Sequence, residues 1–171
     1  MLLTGVGITI TGSAEPEIKE RLEQLGASTG TDVLVYAAPA PTTADGVRAA
    51  LDGAWDAIRA HMLPPGRTGG LIVLLSPPGD DAHAEAARAG LENLARTLSI
   101  EWARYAIRPV TIHQGSDPRA TAELVAFLAS TAGAYYAGCA FRLRRPTAPR
   151  RSPPSASRAT RRTPLPRSPS G

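Results

Sequence analysis

Few side chains of this protein are suited to catalysis. Three of them lie at the end of an apolar, strand-like run and at the start of the helical segment that follows it. Ser76 ends the apolar run LIVLLS, while His83 and Arg88 lie at the start of a long helical segment. A histidine titrates near neutral pH and suits general acid–base work, whereas an arginine keeps its positive charge. The alternatives are a strand-end hydroxyl without function, a surface histidine and a solvated helix arginine. The residue types alone leave both sets of interpretations open.

The segments around these residues alternate between strand and helix patterns. Short apolar runs rich in β-branched residues predict strands, and apolar residues spaced three and four apart predict helices. The predicted strands are VGITI, DVLVYAA, LIVLLS, IRPVTIH and CAFRL; the predicted helices are one capped by Ser13, two spanning about 45–62 and 84–104, and one capped by Ser116. This alternation predicts an α/β fold, a Rossmann-like parallel sheet of about five strands with helices on both faces. Pro109 within IRPVTIH suggests an edge strand or an irregular start.

Charge divides the 171-residue chain into two parts, although its overall net charge is only +4. Residues 1–141 contain ten Lys and Arg against fifteen Asp and Glu, and residues 142–171 contain nine Arg and no acid. The high isoelectric point therefore belongs to the end of the chain and says nothing about what the folded part binds. We predict one Rossmann-like domain over residues 1–143 and an Arg/Pro/Ser-rich tail over residues 144–171.

The tail has too few apolar residues to offset the entropy cost of ordering, so we expect it to lack fixed structure. Brief proteolysis should remove it without lowering the melting temperature of the body. A loss of stability on trimming at Arg145 would instead mean that the tail packs. Clustered arginines also bind polyanions without sequence preference, and any such binding should be weak, steeply salt-dependent and lost with the tail.

The remaining composition points to a soluble, reduced protein. Cys139 is the single cysteine, which excludes a disulfide within the chain, and its apolar neighbours favour a packed residue over a catalytic thiol. The longest apolar run, LIVLL, is too short to cross a bilayer, and the N-terminus lacks the features of a signal peptide. We therefore expect a cytoplasmic protein, and we predict no metal site.

Several blocks of sequence, in order, resemble the short-chain dehydrogenases/reductases. DVLVYAAPA resembles the family's DVLVNNAG strand and turn, and the segment ending in LIVLLSP resembles the strand that leads to the catalytic serine. RAGLENLARTLSIEWARYAIRPVTIHQG resembles the helix carrying Tyr-x-x-x-Lys followed by the strand ending in Pro-Gly. AELVAFLASTAGAYYAGCAFRL resembles the segment before the family's terminal Asp-Gly-Gly. The resemblance covers roughly residues 6–143.

The resemblance implies where catalytic residues would lie, and most of those positions hold other residue types. Alignment on RAGL places Ala84 at the tyrosine position and Arg88 at the lysine position. The serine that polarises a substrate carbonyl corresponds to Ser76 or Pro77, and the family's asparagine falls near Ala50. Ser76 and Arg88 are therefore the candidate catalytic residues. His83 is adjacent to the tyrosine position but points about 100° away on a helix.

The resemblance also implies NAD or NADP as the cofactor. Ala38 matches the alanine of the turn after DVLV and Gly115 matches the glycine of Pro-Gly, whereas Pro39 and Gln114 replace the other residues of these two turns. Ala38, Pro39 and Gly115 are thus the candidate cofactor contacts. Two alignments of the N-terminus are open. In the favoured one the chain starts at the family's third strand, without the phosphate loop; in the other, LLTGVGITITG is the first strand and its turn.

The resulting hypothesis is an oxidoreductase-like protein of this family with impaired NAD(P)-linked carbonyl/alcohol chemistry. The alternative is a non-catalytic pseudoenzyme that acts as an interaction or oligomerisation module. The resemblance implies a homodimer formed through the two long helices, and Trp55 and Trp102 have the size of interface core residues. Burial of both tryptophans inside the monomer is an equally good interpretation.

Overall fold

The protein is an α/β domain in a computed structural model that describes residues 2–62 and 68–143. Its strands are β1 (Gly7–Gly12), β2 (Ser28–Thr29), β3 (Val33–Ala37), β4 (Gly70–Leu75), β5 (Ile107–His113) and β6 (Ala140–Arg142). Its helices are α1 (Pro16–Gln24), α2 (Ala44–Met62), α3 (Ala82–Glu101) and α4 (Pro118–Ala129). The predictions for the tail fall outside the described residues.

All neighbouring strands pair in parallel, in the order β2-β1-β3-β4-β5-β6. The predicted Rossmann-like sheet is therefore confirmed. In such sheets the first strand lies between the second and the fourth. Here β1 lies between β2 and β3, with Ile8 opposite Val33 and Gly12 opposite Ala37. The expectation that the chain starts at the third strand is therefore wrong: β1 holds the position of a first strand, and the place beyond β2 is where a third strand would lie.

Two further strand predictions need correction. The sheet has six strands instead of about five, because β2 consists of two exposed polar residues that give no hydrophobic signal. Pro109 lies within β5, which has a neighbour on each side, so β5 is not an edge strand. The backbone nitrogen of Pro109 points the same way as that of Thr111, toward β6, and β6 begins only at Ala140. No ladder hydrogen bond is lost there.

The sheet separates two apolar cores. One core packs α1 and α4 against Val33, Val35, Val73 and Ile112, and the other packs α2 and α3 against Leu34, Tyr36, Ile72 and Leu74. Side chains alternate between the faces of a strand, which explains why consecutive strand residues belong to different cores. Helices thus cover both faces, as predicted. Within the described residues, no helix is long and apolar enough to cross a membrane.

The helix ends differ from the predicted ones by a few residues. The N-cap of α1 is Glu15, not Ser13, and no side chain bonds the free amides there. The N-cap of α4 is Asp117, not Ser116, and its carboxylate accepts a hydrogen bond from the backbone N–H of Arg119. Both differences follow from a proline, which is favoured in the first helical turn and here sets the start of each helix.

Candidate functional site

The candidate site lies at the carboxyl edge of the sheet, the edge at which its parallel strands end. Ligands of open parallel α/β sheets bind outside this edge. Ala38 and Pro39 follow β3, Ser76 follows β4, and Gly115 lies two residues after β5. The sheet therefore brings the candidate serine and the candidate cofactor contacts to one edge. Arg88 on α3 lies 3.8 Å from Asp80, in the loop that follows β4.

The tyrosine position holds a buried alanine. Ala84 is fully buried in the first turn of α3. The Asp81 carboxylate accepts hydrogen bonds from the backbone N–H groups of Ala84 and His83, at 3.0 and 2.9 Å, and caps the helix. The bond from Ala84 is the main reason that the pKa of Asp81 lies below its ordinary value. Gly79 lies close enough that a Cβ added to it would meet the Ala84 methyl at 3.7 Å. The loop that contains Gly79 thus lies beside this position.

The arginine at the lysine position is held by acids. Arg88 forms an ion pair with Glu85, and its Nη2 lies 3.8 Å from the Asp80 carboxylate. Only 11% of its side chain is exposed, so the interpretation as a solvated helix arginine is wrong. Its charge is compensated inside the first turns of α3, and its N–H groups are directed at carboxylates. His83 is exposed beside Asp81, as the surface interpretation predicted.

The asparagine position holds a small buried residue whose backbone is already bonded. Ala50 lies in α2 with no exposed surface, and its carbonyl oxygen accepts a hydrogen bond of 2.9 Å from the Tyr36 hydroxyl. Burial raises the pKa of Tyr36 above its ordinary value, so this hydroxyl is protonated at neutral pH. Gly53 makes room for it, since a Cβ there would meet the hydroxyl at 2.6 Å. Tyr36 thus packs inside the domain, whereas Tyr135 is 93% exposed.

The turn from β1 to α1 would have to bind the pyrophosphate of a dinucleotide. Gly12 has φ +82°, and a Cβ there would lie 2.2 Å from the Ala37 carbonyl, so the turn requires a glycine. A phosphate site at a helix start needs free backbone N–H groups and no negative side chains. Here Pro16 opens α1 without an N–H, and Glu15 and Glu17 flank it. The residues of this turn do not fit a pyrophosphate.

The turns after β3 and β5 are built for packing. Ala38 is buried, and its N–H donates to the Leu75 carbonyl at 3.0 Å. Gln114 donates from its side-chain amide to the Ser76 carbonyl at 2.8 Å. Gly115 packs on the segment after β6, where an added Cβ would meet the Leu143 carbonyl at 3.2 Å. These contacts tie the strand ends together through the Ala38 N–H and the Gln114 side-chain amide.

Sequence reasoning missed one polar pair at this edge. His113, the last residue of β5, is buried, and its Nε2 lies 2.5 Å from Glu92 Oε1 on α3. A histidine at the end of the strand segment IRPVTIH was a usable signal in the sequence. Its partner could not be found in the same way, because the contact spans 21 residues. In the part of the chain that the structure describes, no three His, Cys, Asp or Glu residues could hold a metal ion.

Solved structures share this architecture. The enoyl-[acyl-carrier-protein] reductase (NADH) of Aquifex aeolicus VF5 has a TM-score of 0.68 at 16% identity, over 83% of this chain and 96% of that one. BdcA (YjgI) of E. coli has a TM-score of 0.66 at 18% identity, over 84% of this chain and 100% of that one. An oxidoreductase of the short chain dehydrogenase/reductase family from Burkholderia thailandensis has a TM-score of 0.57 at 18% identity, over 79% of each chain.

These likenesses confirm the predicted resemblance at the level of the fold. The chain has the fold of the short-chain dehydrogenases/reductases, and identities of this size show the fold alone. No protein-family model and no curated protein matches the sequence.

Proposed function

We propose that this chain is an oxidoreductase-like protein of the short-chain dehydrogenase/reductase type in which NAD(P)-linked carbonyl/alcohol chemistry is impaired. The observation that carries the proposal is the tyrosine position, where a fully buried Ala84 lies beside the loop that contains Gly79. An alanine cannot transfer a proton. Titration with NADH and NADPH, together with a turnover assay, tests the proposal.

The proposal includes the class of cofactor. A solved structure with this fold is named a reductase (NADH), which supports NAD or NADP as that class. The candidate contacts Ala38, Pro39 and Gly115 lie at the correct edge of the sheet. The start of α1, with Pro16 between Glu15 and Glu17, opposes an anionic cofactor. The proposal is therefore a protein that keeps the framework and binds the dinucleotide poorly or not at all.

A pseudoenzyme that works as an oligomerisation module is the second candidate, and the tryptophans favour it. Trp55 on α2 and Trp102 after α3 lie with ring centroids 6.3 Å apart. Trp102 is 9% exposed, whereas Trp55 keeps 38% of its surface exposed on the outer side of the helix pair. An amphipathic aromatic side chain at such a position is typical of interface cores. Trp102 is therefore buried inside the monomer, whereas Trp55 is not.

We accordingly expect a homodimer through α2 and α3. Sedimentation at roughly tens of micromolar should give a dimer, because protein concentration drives association. Trp55→Ala should weaken the dimer about tenfold or more, since truncated aromatic anchors commonly cost upward of about 1.4 kcal/mol of binding. Tyr135→Ala is the matched control: it removes an exposed aromatic ring outside both helices and should leave the dimer intact. A monomer at all concentrations would exclude this candidate.

A further inference from the structure

Two buried polar atoms at the carboxyl edge have no hydrogen-bond partner within the protein. They are Ser76 Oγ and His113 Nδ1, and these two residues are 1% and 7% exposed. A third, Thr11 Oγ1, lies near the end of β1 at the same edge. Buried polar groups nearly always have a partner, and an unpaired one calls for an explanation such as a catalytic role or a bound polar group. Three such atoms along one edge point to a site that accepts an external polar group.

Ser76 and His113 face the same side of the sheet. The parallel pairing of β4 and β5 places Leu75 opposite Ile112, and it continues by one step because the Ser76 N–H donates to the Ile112 carbonyl at 2.9 Å. Adjacent strands lie roughly 4.8 Å apart, so side chains at this level are neighbours. Leu75 and Ile112 belong to the core beneath α1 and α4, so alternation directs the next residues toward α2 and α3.

Glu92 fixes the role of the imidazole. The Glu92 carboxylate can only accept a hydrogen bond when ionised, so its 2.5 Å contact with His113 Nε2 places the ring proton on Nε2. In the neutral ring the other nitrogen, Nδ1, is then a proton acceptor. Glu92 can also stabilise the imidazolium that forms when Nδ1 takes a proton. Ser76, His113 and Glu92 thus supply a hydroxyl, a base and a carboxylate, in that sequence along the site.

The same three groups could also activate a serine nucleophile. The backbone around Ser76, however, does not suit acyl transfer. Such reactions need free N–H groups beside the serine to stabilise the oxyanion. The N–H of Ser76 is bonded to the Ile112 carbonyl, and the next two residues, Pro77 and Pro78, have none. A serine that holds the ligand and a histidine that exchanges its proton fit these surroundings better.

We infer that His113, positioned by Glu92, is the proton-transfer group of the carboxyl-edge site and acts on the hydroxyl of a small alcohol held by Ser76. The inference rests on the proposed carbonyl/alcohol class of ligand. It assigns proton transfer to His113 and not to the residue at the tyrosine position. One hydroxyl satisfies both unpaired atoms, since it accepts from the Ser76 hydroxyl and donates to Nδ1. Proton transfer moves this hydrogen from the alcohol oxygen to Nδ1, and return of the proton regenerates the neutral ring and the alcohol.

The imidazole groups of the full chain can be observed directly by long-range ¹H–¹⁵N correlation. The chain has three histidines, and exposed His83 is an internal control in the same spectrum. We expect the neutral ring of His113 as the Nε2–H tautomer, with an Nδ1 resonance that shifts on titration with 2-propanol. Acetone, which has no proton to donate, should leave Nδ1 unchanged. The opposite tautomer, equal responses to both probes, or no response to 2-propanol would overturn the inference.

Variants separate the three residues. Ser76→Ala should weaken the 2-propanol response about fivefold, the effect of one hydrogen bond. Glu92→Leu should abolish the preference for the Nε2–H tautomer, and Glu92→Gln, which keeps an acceptor, should retain it; a purely structural role for Glu92 predicts no such difference. An unchanged response in Ser76→Ala would also overturn the inference. None of these measurements involves NADH or NADPH, so the proposed impairment of hydride transfer can fail without affecting them.

Discussion

Titration of the full chain with NADH or NADPH is expected to give no measurable binding heat, and common ketones should cause no detectable oxidation of either cofactor. Hydride transfer to a carbonyl leaves negative charge on oxygen and needs a positioned proton donor. Loss of general acid catalysis alone typically costs about 10²–10⁴ in rate. Ala84 removes the donor from its usual place, and the turn before α1 opposes the pyrophosphate, so the two defects compound.

The contribution of charge to this result can be measured separately. Glu15→Gln with Glu17→Gln removes two exposed negative charges at the start of α1 and leaves the backbone of the turn unchanged. Weak cofactor binding that appears only in this variant would identify repulsion as the main cause, whereas continued absence of binding would identify Pro16 and the single glycine of the turn. Steady turnover by the unmodified chain that is abolished by Ser76→Ala would contradict the proposed impairment.

The centre of the sheet was predictable from the sequence because β3 and β4 are almost entirely buried. Runs such as DVLVYAA and LIVLLS have no polar alternation, which is the pattern of strands covered on both faces. β2 was not predictable, since Ser28 and Thr29 are exposed and pair with β1 only through their backbone. The pattern of residues could not predict the position of β1 in the sheet either, because strand order is a property of the tertiary fold.

The site was less predictable than the fold, for a physical reason. Alignment with a known family locates positions, and it placed an alanine at the position of the family's tyrosine. It could not indicate that Arg88 is enclosed by Glu85 and Asp80, or that His113 and Glu92 meet across 21 residues. Such polar pairs depend on how helices lie on the sheet, and a single sequence carries no periodic signal for them.

Ala84→Tyr combined with Arg88→Lys is expected to lower stability without restoring activity. Ala84 has no exposed surface, so a phenol ring must displace the loop at Gly79 or distort the first turn of α3. Overpacking of this kind typically costs about 1–3 kcal/mol of unfolding free energy. Arg88→Lys adds to the loss, because an ammonium cannot reproduce the contacts of a planar guanidinium with Glu85 and Asp80.

Chemical denaturation of the double variant, with Ala86→Tyr as the matched control, measures this cost. Ala86 is exposed on the same helix, so the same substitution there should change stability by less than about 0.5 kcal/mol. Activity should stay absent in the double variant, because Ala50 and the turn before α1 are unchanged and still lack what hydride transfer requires. A double variant that is as stable as the parent and turns over NADPH would contradict this prediction. It would mean that the tyrosine position can hold a phenol ring and that the missing tyrosine and lysine alone prevent hydride transfer.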